Sequence, residues 1–162
     1  MKKTTPGSGQ ESVWDYPRPP RLEESSKRLK VVFNGMTIAD SSKAYRVLET
    51  SHPPTFYIPV EDVDMRCLLP AEGRSLCEWK GQAAYFDVVV HGRRAARAAW
   101  HYPAPTPDFE AIAGYLCFYA SKMDACFVDG ELVRAQEGDY YGGWITSDIV
   151  GPFKGAAGTG FW

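Results

Sequence analysis

The chain has 162 residues, of which 44% are hydrophobic and 23% are charged, and its formal net charge at pH 7 is −2. These values are typical of one globular domain with a single sizeable core, and they exclude a disordered chain. No apolar run approaches the ~18 residues that a membrane-spanning helix requires, so we expect no membrane partner.

The charges are distributed unevenly along the chain. Residues 1–30 contain seven Lys or Arg against four Asp or Glu, whereas the remaining residues contain eleven against sixteen. A weakly basic segment beside an acidic body suits packing on that body better than binding nucleic acid, which selects a clear basic excess. We therefore expect no nucleic-acid partner. Two lysines near the start precede no apolar stretch, so we expect no secretory signal and predict a cytoplasmic protein.

Proline, serine, glycine and charged residues dominate residues 1–29, which cannot form a core by themselves. Trp14 and Tyr16 stand beside prolines in this segment, so we predict an extended N-terminal arm that these two side chains attach to the body. A single β domain is predicted to span residues 30–150. The glycine-rich residues 151–162 are predicted to form a C-terminal tail that packs on it.

Three X-Gly pairs lie between runs of β-branched and aromatic residues. They are Asn34-Gly35, His91-Gly92 and Asp129-Gly130. A two-residue hairpin turn of type I′ needs positive φ at both central positions, which favours Asn, Asp and Gly there. The pattern predicts three hairpins and a mostly β fold.

Helix is scarce in the sequence. Pro107 opens a short run that Gly114 closes, which predicts one short helix near residues 107–113. The segment 93–100 is ambiguous, because its alanines favour helix whereas its place after a hairpin turn favours a strand. Further β-rich runs lie at residues 43–50, 55–59, 65–69 and 115–120.

The cysteines argue against a metal site. No two of them are spaced as C-x-x-C, so neither a zinc knuckle nor a thioredoxin-like redox motif is present. Cys67, Cys117 and Cys126 lie in apolar runs, where cysteine packs as a small hydrophobic residue. We therefore predict no metal ligands and no cofactor.

Two stretches resemble a known family. In the first, Glu49-x-x-His52 is followed by Tyr57, and in the second, residues 77–85 read Cys-Glu-Trp-Lys-Gly-Gln-Ala-Ala-Tyr. Both are similar to the bacterial family known as domain of unknown function 427, also labelled nucleotidyltransferase-like, over roughly residues 30–135. The resemblance implies a small coiled-sheet domain, β-tent-like or an open barrel, without the metal-binding cysteines of β-tent proteins.

The nucleotidyltransferase label would imply a magnesium site. Asp62 and Asp64 form a D-x-D pair of the kind that can hold magnesium. Such enzymes also carry a Gly-Ser phosphate loop just upstream, but the Gly-Ser pair of this chain, Gly7-Ser8, lies in the N-terminal arm. We therefore expect the two aspartates to lie in a solvated turn.

Four polar residues of the matching stretches form a candidate catalytic set. His52 is the candidate base and Glu49 the group that orients it, although side chains three apart on a strand face opposite sides. Joint action of the two requires a bend near Ser51. Tyr57 is the candidate proton donor, and Lys80 is the candidate holder of an anionic group.

A structural interpretation competes with the catalytic one. In it, Glu49 pairs with Arg46, His52 hydrogen-bonds its own loop, and Lys80 extends to solvent. Aromatic residues, 14% of the chain, suit the wall of a ligand pocket and also the core of a small β domain. The candidate ligand-binding residues are Arg46, Trp79, Trp100, Tyr141 and Trp144.

Two hypotheses of function follow. In the first, the protein is a metal-independent enzyme that performs acid–base chemistry on a small molecule in an aromatic pocket. In the second, it is a non-catalytic binding module whose aromatic cage holds a small ligand. They differ in whether Glu49, His52, Tyr57 and Lys80 meet at one cavity. The sequence leaves the ligand, the reaction and the choice between monomer and homodimer open.

Overall fold

The computed structural model describes residues 1–138 and 140–162. Within these residues the chain is mostly β, and its strands form five small sheets, none of which closes into a barrel. No helix there is both long enough and apolar enough to cross a membrane. The strands are β1 (Glu11–Ser12), β2 (Arg21–Ser25), β3 (Leu29–Phe33), β4 (Met36–Ser41), β5 (Ala44–Leu48), β6 (Thr55–Tyr57), β7 (Leu68–Cys77), β8 (Gly81–Val90), β9 (Arg93–His101), β10 (Cys117–Phe118), β11 (Ala125–Val128), β12 (Glu131–Leu132), β13 (Arg134–Ala135), β14 (Trp144–Ile145) and β15 (Ile149–Val150). The helices are short 3₁₀ turns at Val13–Asp15, Val60–Asp62, Met65–Cys67, Pro107–Ile112 and Ala120–Lys122.

Three of the sheets carry most of the structure. One has the strand order β10-β9-β8-β7, the second β12-β11-β3-β4, and the third β2-β5-β6. Within each of them the paired strands are antiparallel. The remaining two sheets are pairs, β13 with β14 and, in parallel, β1 with β15.

The three predicted hairpins are confirmed. The X-Gly turns join β3 to β4, β8 to β9, and β11 to β12, and all six turn residues have φ between 48° and 81°. The ambiguous segment 93–100 is part of strand β9, because hydrogen bonds to β8 on one side and β10 on the other outweigh the helix propensity of its alanines. The predicted short helix is the 3₁₀ helix Pro107–Ile112.

One strand prediction is wrong at its start. Residues 65–69 begin with the 3₁₀ turn Met65–Cys67, and β7 starts only at Leu68. Asp64 caps this turn, since its side chain accepts a hydrogen bond from the backbone N–H of Arg66 at 3.2 Å.

The main core lies between the sheets that contain β3 and β8. Trp144 is buried in it with 1% of its surface exposed, and its Nε1–H donates to the carbonyl oxygen of Phe118 at 2.9 Å. Cys67, Cys117 and Cys126 are buried as predicted. Burial raises the pKa of the Cys126 thiol to about 12, so this thiol stays protonated at neutral pH.

Both ends of the chain pack on the domain. Val13 and Tyr16 are buried in a cluster with Leu48, and the Trp14 Nε1–H donates to the carbonyl oxygen of Pro152 at 2.9 Å. Strand β1 pairs with β15, and β2 pairs with β5 along five residues. Residues 1–29 therefore supply two strands and two buried side chains that pack on the body, while Trp14 joins the N-terminal arm to the C-terminal tail.

Candidate functional site

A cavity of about 390 Å³ opens between the ends of strands β5 to β9 and the loop that precedes β14. Its volume falls in the range of small-molecule sites in proteins, roughly 300–1,000 Å³. All four candidate catalytic residues, Glu49, His52, Tyr57 and Lys80, line it. The aromatic part of its wall consists of Tyr57, Trp79, Tyr85, Trp100, Tyr102, Tyr119, Tyr140 and Tyr141.

A tight turn brings Glu49 and His52 to the same side of the chain. The backbone N–H of His52 donates to the carbonyl oxygen of Glu49 at 3.0 Å, and Ser51 between them has φ of 72°. A positive φ at the third residue is the signature of a type II turn, in which the chain reverses direction. The structure thus contains, at Ser51, the bend that joint action of the two side chains requires.

Segments distant in sequence hold this turn in place. The backbone N–H of Ser51 donates to the carbonyl oxygen of Val13 at 3.0 Å, and the Ser51 carbonyl accepts from the N–H of Lys154 at 2.9 Å. The Arg18 guanidinium donates to the carbonyl oxygen of Thr50 at 3.0 Å. The buried Ser51 hydroxyl has no hydrogen-bond partner among the described residues. The N-terminal arm and the C-terminal tail therefore fix a strained turn from two sides.

The hydrogen bonds of His52 define its basic nitrogen. Its Nδ1 lies 2.9 Å from the carbonyl oxygen of Thr50, and because a carbonyl can only accept, Nδ1 carries the hydrogen. The lone pair of the neutral ring is then on Nε2, for which the described residues supply no hydrogen-bond partner. Burial lowers the pKa of His52, and the nearby Glu49 carboxylate opposes that shift. The imidazole is accordingly neutral near pH 7 and can accept a proton at Nε2.

Glu49 lies between the His52 imidazole and the Arg18 guanidinium. Its Oε2 is 3.7 Å from the Nδ1 of His52 and 3.4 Å from the Nη2 of Arg18. One part of the structural interpretation, the hydrogen bond of His52 to its own loop, is confirmed by the contact with Thr50, but the pairing of Glu49 with Arg46 is wrong. Arg46 instead pairs with Glu11 at 2.9 Å and with Glu23 at 2.5 Å, because β5 carries it beside β2.

Tyr57 stands deeper in the wall, with 1% of its surface exposed. Its ring centroid is 6.4 Å from that of Trp100 and 6.2 Å from that of Tyr102. Burial raises the pKa of Tyr57 well above its usual value. A phenol that retains its proton this firmly is better suited to donate a hydrogen bond to a ligand than to transfer a proton.

Lys80 is buried at the turn between β7 and β8, with 8% of its surface exposed. Its carbonyl oxygen accepts from the backbone N–H of Thr106 at 3.0 Å, which fixes the turn against the loop after β9. The Nζ lies 5.8 Å and 5.9 Å from the ring centroids of Tyr102 and Phe109. No hydrogen bond or ion pair joins this ammonium to another described residue, and Nζ is not among the fully buried atoms that lack a partner, so it keeps contact with solvent. The expectation that Lys80 extends to solvent under the structural interpretation therefore stays a prediction.

Three of the five candidate ligand-binding residues line the cavity, namely Trp79, Trp100 and Tyr141. Gly142 packs on Trp100 so closely that a Cβ atom there would lie 2.2 Å from the indole ring. The Tyr141 ring stands edge-on to His52, with centroids 5.2 Å apart. The other two candidates lie elsewhere, since Trp144 is in the main core and Arg46 faces Glu11 and Glu23.

A family model described as a domain of unknown function, DUF427, matches residues 21–129. The chain belongs to the DUF427 family. A comparison with curated proteins finds no match. Glu49, His52, Tyr57 and Lys80 fall inside the DUF427 match, whereas the cavity residues Gln136, Tyr140, Tyr141, Gly142 and Lys154 lie beyond its end.

The two aspartates that a nucleotidyltransferase would need are engaged outside the cavity of this DUF427 protein. Asp62 accepts a hydrogen bond from the Ser41 hydroxyl at 2.6 Å, and Asp64 pairs with Arg66 at 2.8 Å. Among the described residues, no group of His, Cys, Asp and Glu side chains has an arrangement that could hold a metal ion.

Several wall residues were missed by sequence reasoning. Tyr102 had a usable signal, because it follows Trp100 by two residues and successive alternate side chains of a strand share a face. Gln136 and Lys154 had none, since only the tertiary fold brings them to the cavity. There the Gln136 amide donates to the carbonyl oxygen of Lys154 at 2.8 Å and accepts from the N–H of Gly143 at 3.0 Å.

Proposed function

We propose that this DUF427 protein is a metal-independent enzyme that performs acid–base chemistry on a small molecule held in the cavity. The observation that carries the proposal is the set of contacts made by the two ring nitrogens of His52. Its Nδ1–H is directed to the Thr50 carbonyl, a carboxylate lies 3.7 Å from the same nitrogen, and the other nitrogen has no partner among the described residues. An imidazole oriented in this way is the usual form of a general base.

Each of the four candidate catalytic residues has a role in the proposal. His52 takes a proton from the substrate at Nε2, and the Glu49 carboxylate stabilises the imidazolium that results. Tyr57 donates a hydrogen bond from its phenol, and the Lys80 ammonium holds an anionic group of the substrate. A small soluble substrate is consistent with the cytoplasmic location that we predict from the sequence.

A non-catalytic binding module is the second candidate. The dominance of aromatic side chains in the wall favours it, because such walls hold ligands through apolar and π contacts alone. In that case the aromatic wall is sufficient for binding, and His52 is dispensable.

The two candidates are separated by incubating a bacterial metabolite extract with the protein and following its components by mass spectrometry. We expect wild-type protein to consume at least one compound, and His52→Gln to consume it about 10²–10⁴-fold more slowly, as for loss of a general base. His91→Gln, in an exposed hairpin turn, is the control and should match wild type. Compounds that are retained on wild type and His52→Gln alike, with none consumed, would establish the binding module instead.

A further inference from the structure

The Lys80 ammonium indicates which class of ligand the cavity binds. Its Nζ lies 5.8 Å and 5.9 Å from the ring centroids of Tyr102 and Phe109, which favour a cation but provide no counter-charge. Only 8% of the surface of Lys80 is exposed, yet Nζ is not among the fully buried atoms without a partner, so the ammonium keeps contact with solvent in the cavity that Lys80 lines. An anionic partner can therefore reach the ammonium from the cavity and replace that solvent.

The acidic side chains of the wall do not serve as that partner. Glu49 is already shared between His52 and Arg18, and Glu78, two residues before Lys80, is exposed and makes no ion pair with it. Within the described part of the chain these two are the carboxylates that line the cavity. The anion that completes the Lys80 site must therefore belong to the ligand.

The donors around Lys80 indicate which anion fits. Tyr102 lies beside Lys80, with its ring centroid 5.8 Å from Nζ, and Tyr57 packs on Tyr102 with ring centroids 6.2 Å apart. Burial keeps both phenols protonated by raising their pKa. One ammonium with neutral phenol donors matches the single charge of a carboxylate. A phosphate dianion is held in proteins by several charged donors or backbone nests, and no arginine lines the described wall.

A second lysine, Lys154, lines the cavity on the side of His52. Lys154 donates to the carbonyl oxygen of Trp162 at 3.3 Å and lies 5.6 Å from the ring centroid of Tyr141. The Tyr141 ring also packs edge-on to His52, whereas Lys80 lies over the rings of Tyr102 and Phe109. The cavity thus has a carboxylate-binding end at Lys80 and a proton-accepting end at His52, with aromatic rings between them.

The volume of the cavity limits the size of the ligand. A cavity of about 390 Å³ equals the volume of about a dozen waters at ~30 Å³ each. We infer that the cavity takes a small carboxylic acid with a compact apolar or aromatic body, its carboxylate on Lys80 and its body against Tyr57, Trp100 and Tyr102. The inference rests on the proposed function, because it names the substrate class of the same site.

Benzoate is a probe of this inference, with benzamide as its uncharged isostere. By titration calorimetry we expect wild type to bind benzoate at least tenfold more tightly than benzamide, and Lys80→Met to abolish that preference. Lys43→Met, at an exposed lysine, is the matched control and should bind as wild type does. Tighter binding of inorganic phosphate than of benzoate would overturn the carboxylate assignment, and so would equal binding, or no binding, of benzoate and benzamide.

The melting temperature supplies a second readout. A ligand that binds only the folded protein stabilises it, so saturating benzoate should raise the melting temperature of wild type and benzamide should raise it less. A benzoate-induced rise that Lys80→Met retains in full would contradict the inference. His52→Gln should still bind benzoate. If benzoate binding fails while metabolite turnover still depends on His52, the substrate class is wrong and the enzyme proposal stands.

Discussion

At the scale of single residues, His52 shows how a backbone carbonyl can set side-chain chemistry. The Thr50 carbonyl accepts from Nδ1, so the neutral ring has its lone pair on Nε2. Desolvation keeps the ring neutral, and the negative charge of Glu49 limits how far the pKa falls. The same two influences allow the ring to accept a proton and then to hold it beside a carboxylate.

The lowered pKa of His52 has a consequence for stability. Since the folded protein binds this proton less readily than the unfolded chain, the contribution of His52 is fully present above about pH 6.5 and is lost as the pH falls towards the folded pKa. We expect the free energy of unfolding, measured in urea at pH 7.5 and pH 5.5, to fall at the lower pH by less in His52→Gln than in wild type.

The matched comparison for this prediction is His101→Gln. Burial also lowers the pKa of His101, so its removal should reduce the fall in stability independently, and the two effects should add. A His52→Gln variant that loses as much stability as wild type between the two pH values would contradict the assignment of a depressed pKa to His52.

At the scale of elements, the type II turn at Glu49–His52 depends on segments outside the DUF427 match. Its backbone is bonded by Val13 and Pro17 of the N-terminal arm and by Lys154 of the C-terminal tail, and the match covers residues 21–129. The positive φ of Ser51 costs conformational energy that these bonds offset. The N-terminal arm and the C-terminal tail therefore maintain the geometry of the candidate site.

Arg18 offers a test of this dependence. Its positive charge lowers the pKa of His52, and its guanidinium shares the carboxylate of Glu49. Arg18→Ala removes both effects and should raise the pKa of His52, read from the imidazole resonances by NMR titration. Arg18→Lys, which keeps the charge, should shift it less, and Arg66→Ala, in an exposed pair with Asp64, should leave it unchanged. A His52 pKa that stays constant or falls in Arg18→Ala would contradict the arrangement.

The sequence was informative where a local conformation decides the structure. The X-Gly turns need positive φ, and few residue types provide it, so three hairpins could be placed from the sequence alone. Segment 93–100 could not be assigned, because its alanines become a strand only through pairing with β8 and β10. Propensity is a weak guide where a sheet supplies both neighbours.

The candidate site, too, could be predicted from the sequence only where a local conformation decides its geometry. Glu49 and His52 are three residues apart, so one turn was enough to bring them together. Trp100 and Trp144 could not be separated by sequence, since an indole suits a cavity wall and a core equally well. The fold decides between them, because Trp144 points into the main core and Trp100 into the cavity. Lys154 joins the wall only because the C-terminal tail returns to the Ser51 turn.

At the scale of the whole molecule, three parts of the chain meet at one cavity. The DUF427 region supplies Glu49, His52 and Lys80, the N-terminal arm bonds the turn that carries Glu49 and His52, and the segment after residue 129 supplies Tyr141 and Lys154. Under the proposed function, Lys80 and His52 act on one ligand held between them. The negative charge of an anion bound at Lys80 should then shift the pKa of His52.

The most direct measurement of this claim is the pKa of His52 by NMR in the presence and absence of saturating benzoate. The negative charge of a bound carboxylate favours the imidazolium, so we expect benzoate to raise the pKa of His52 in wild type. Benzamide should not raise it, and Lys80→Met should remove the effect of benzoate. Benzoate that binds through Lys80 and leaves the pKa of His52 unchanged would contradict the claim that one ligand spans both ends of the cavity.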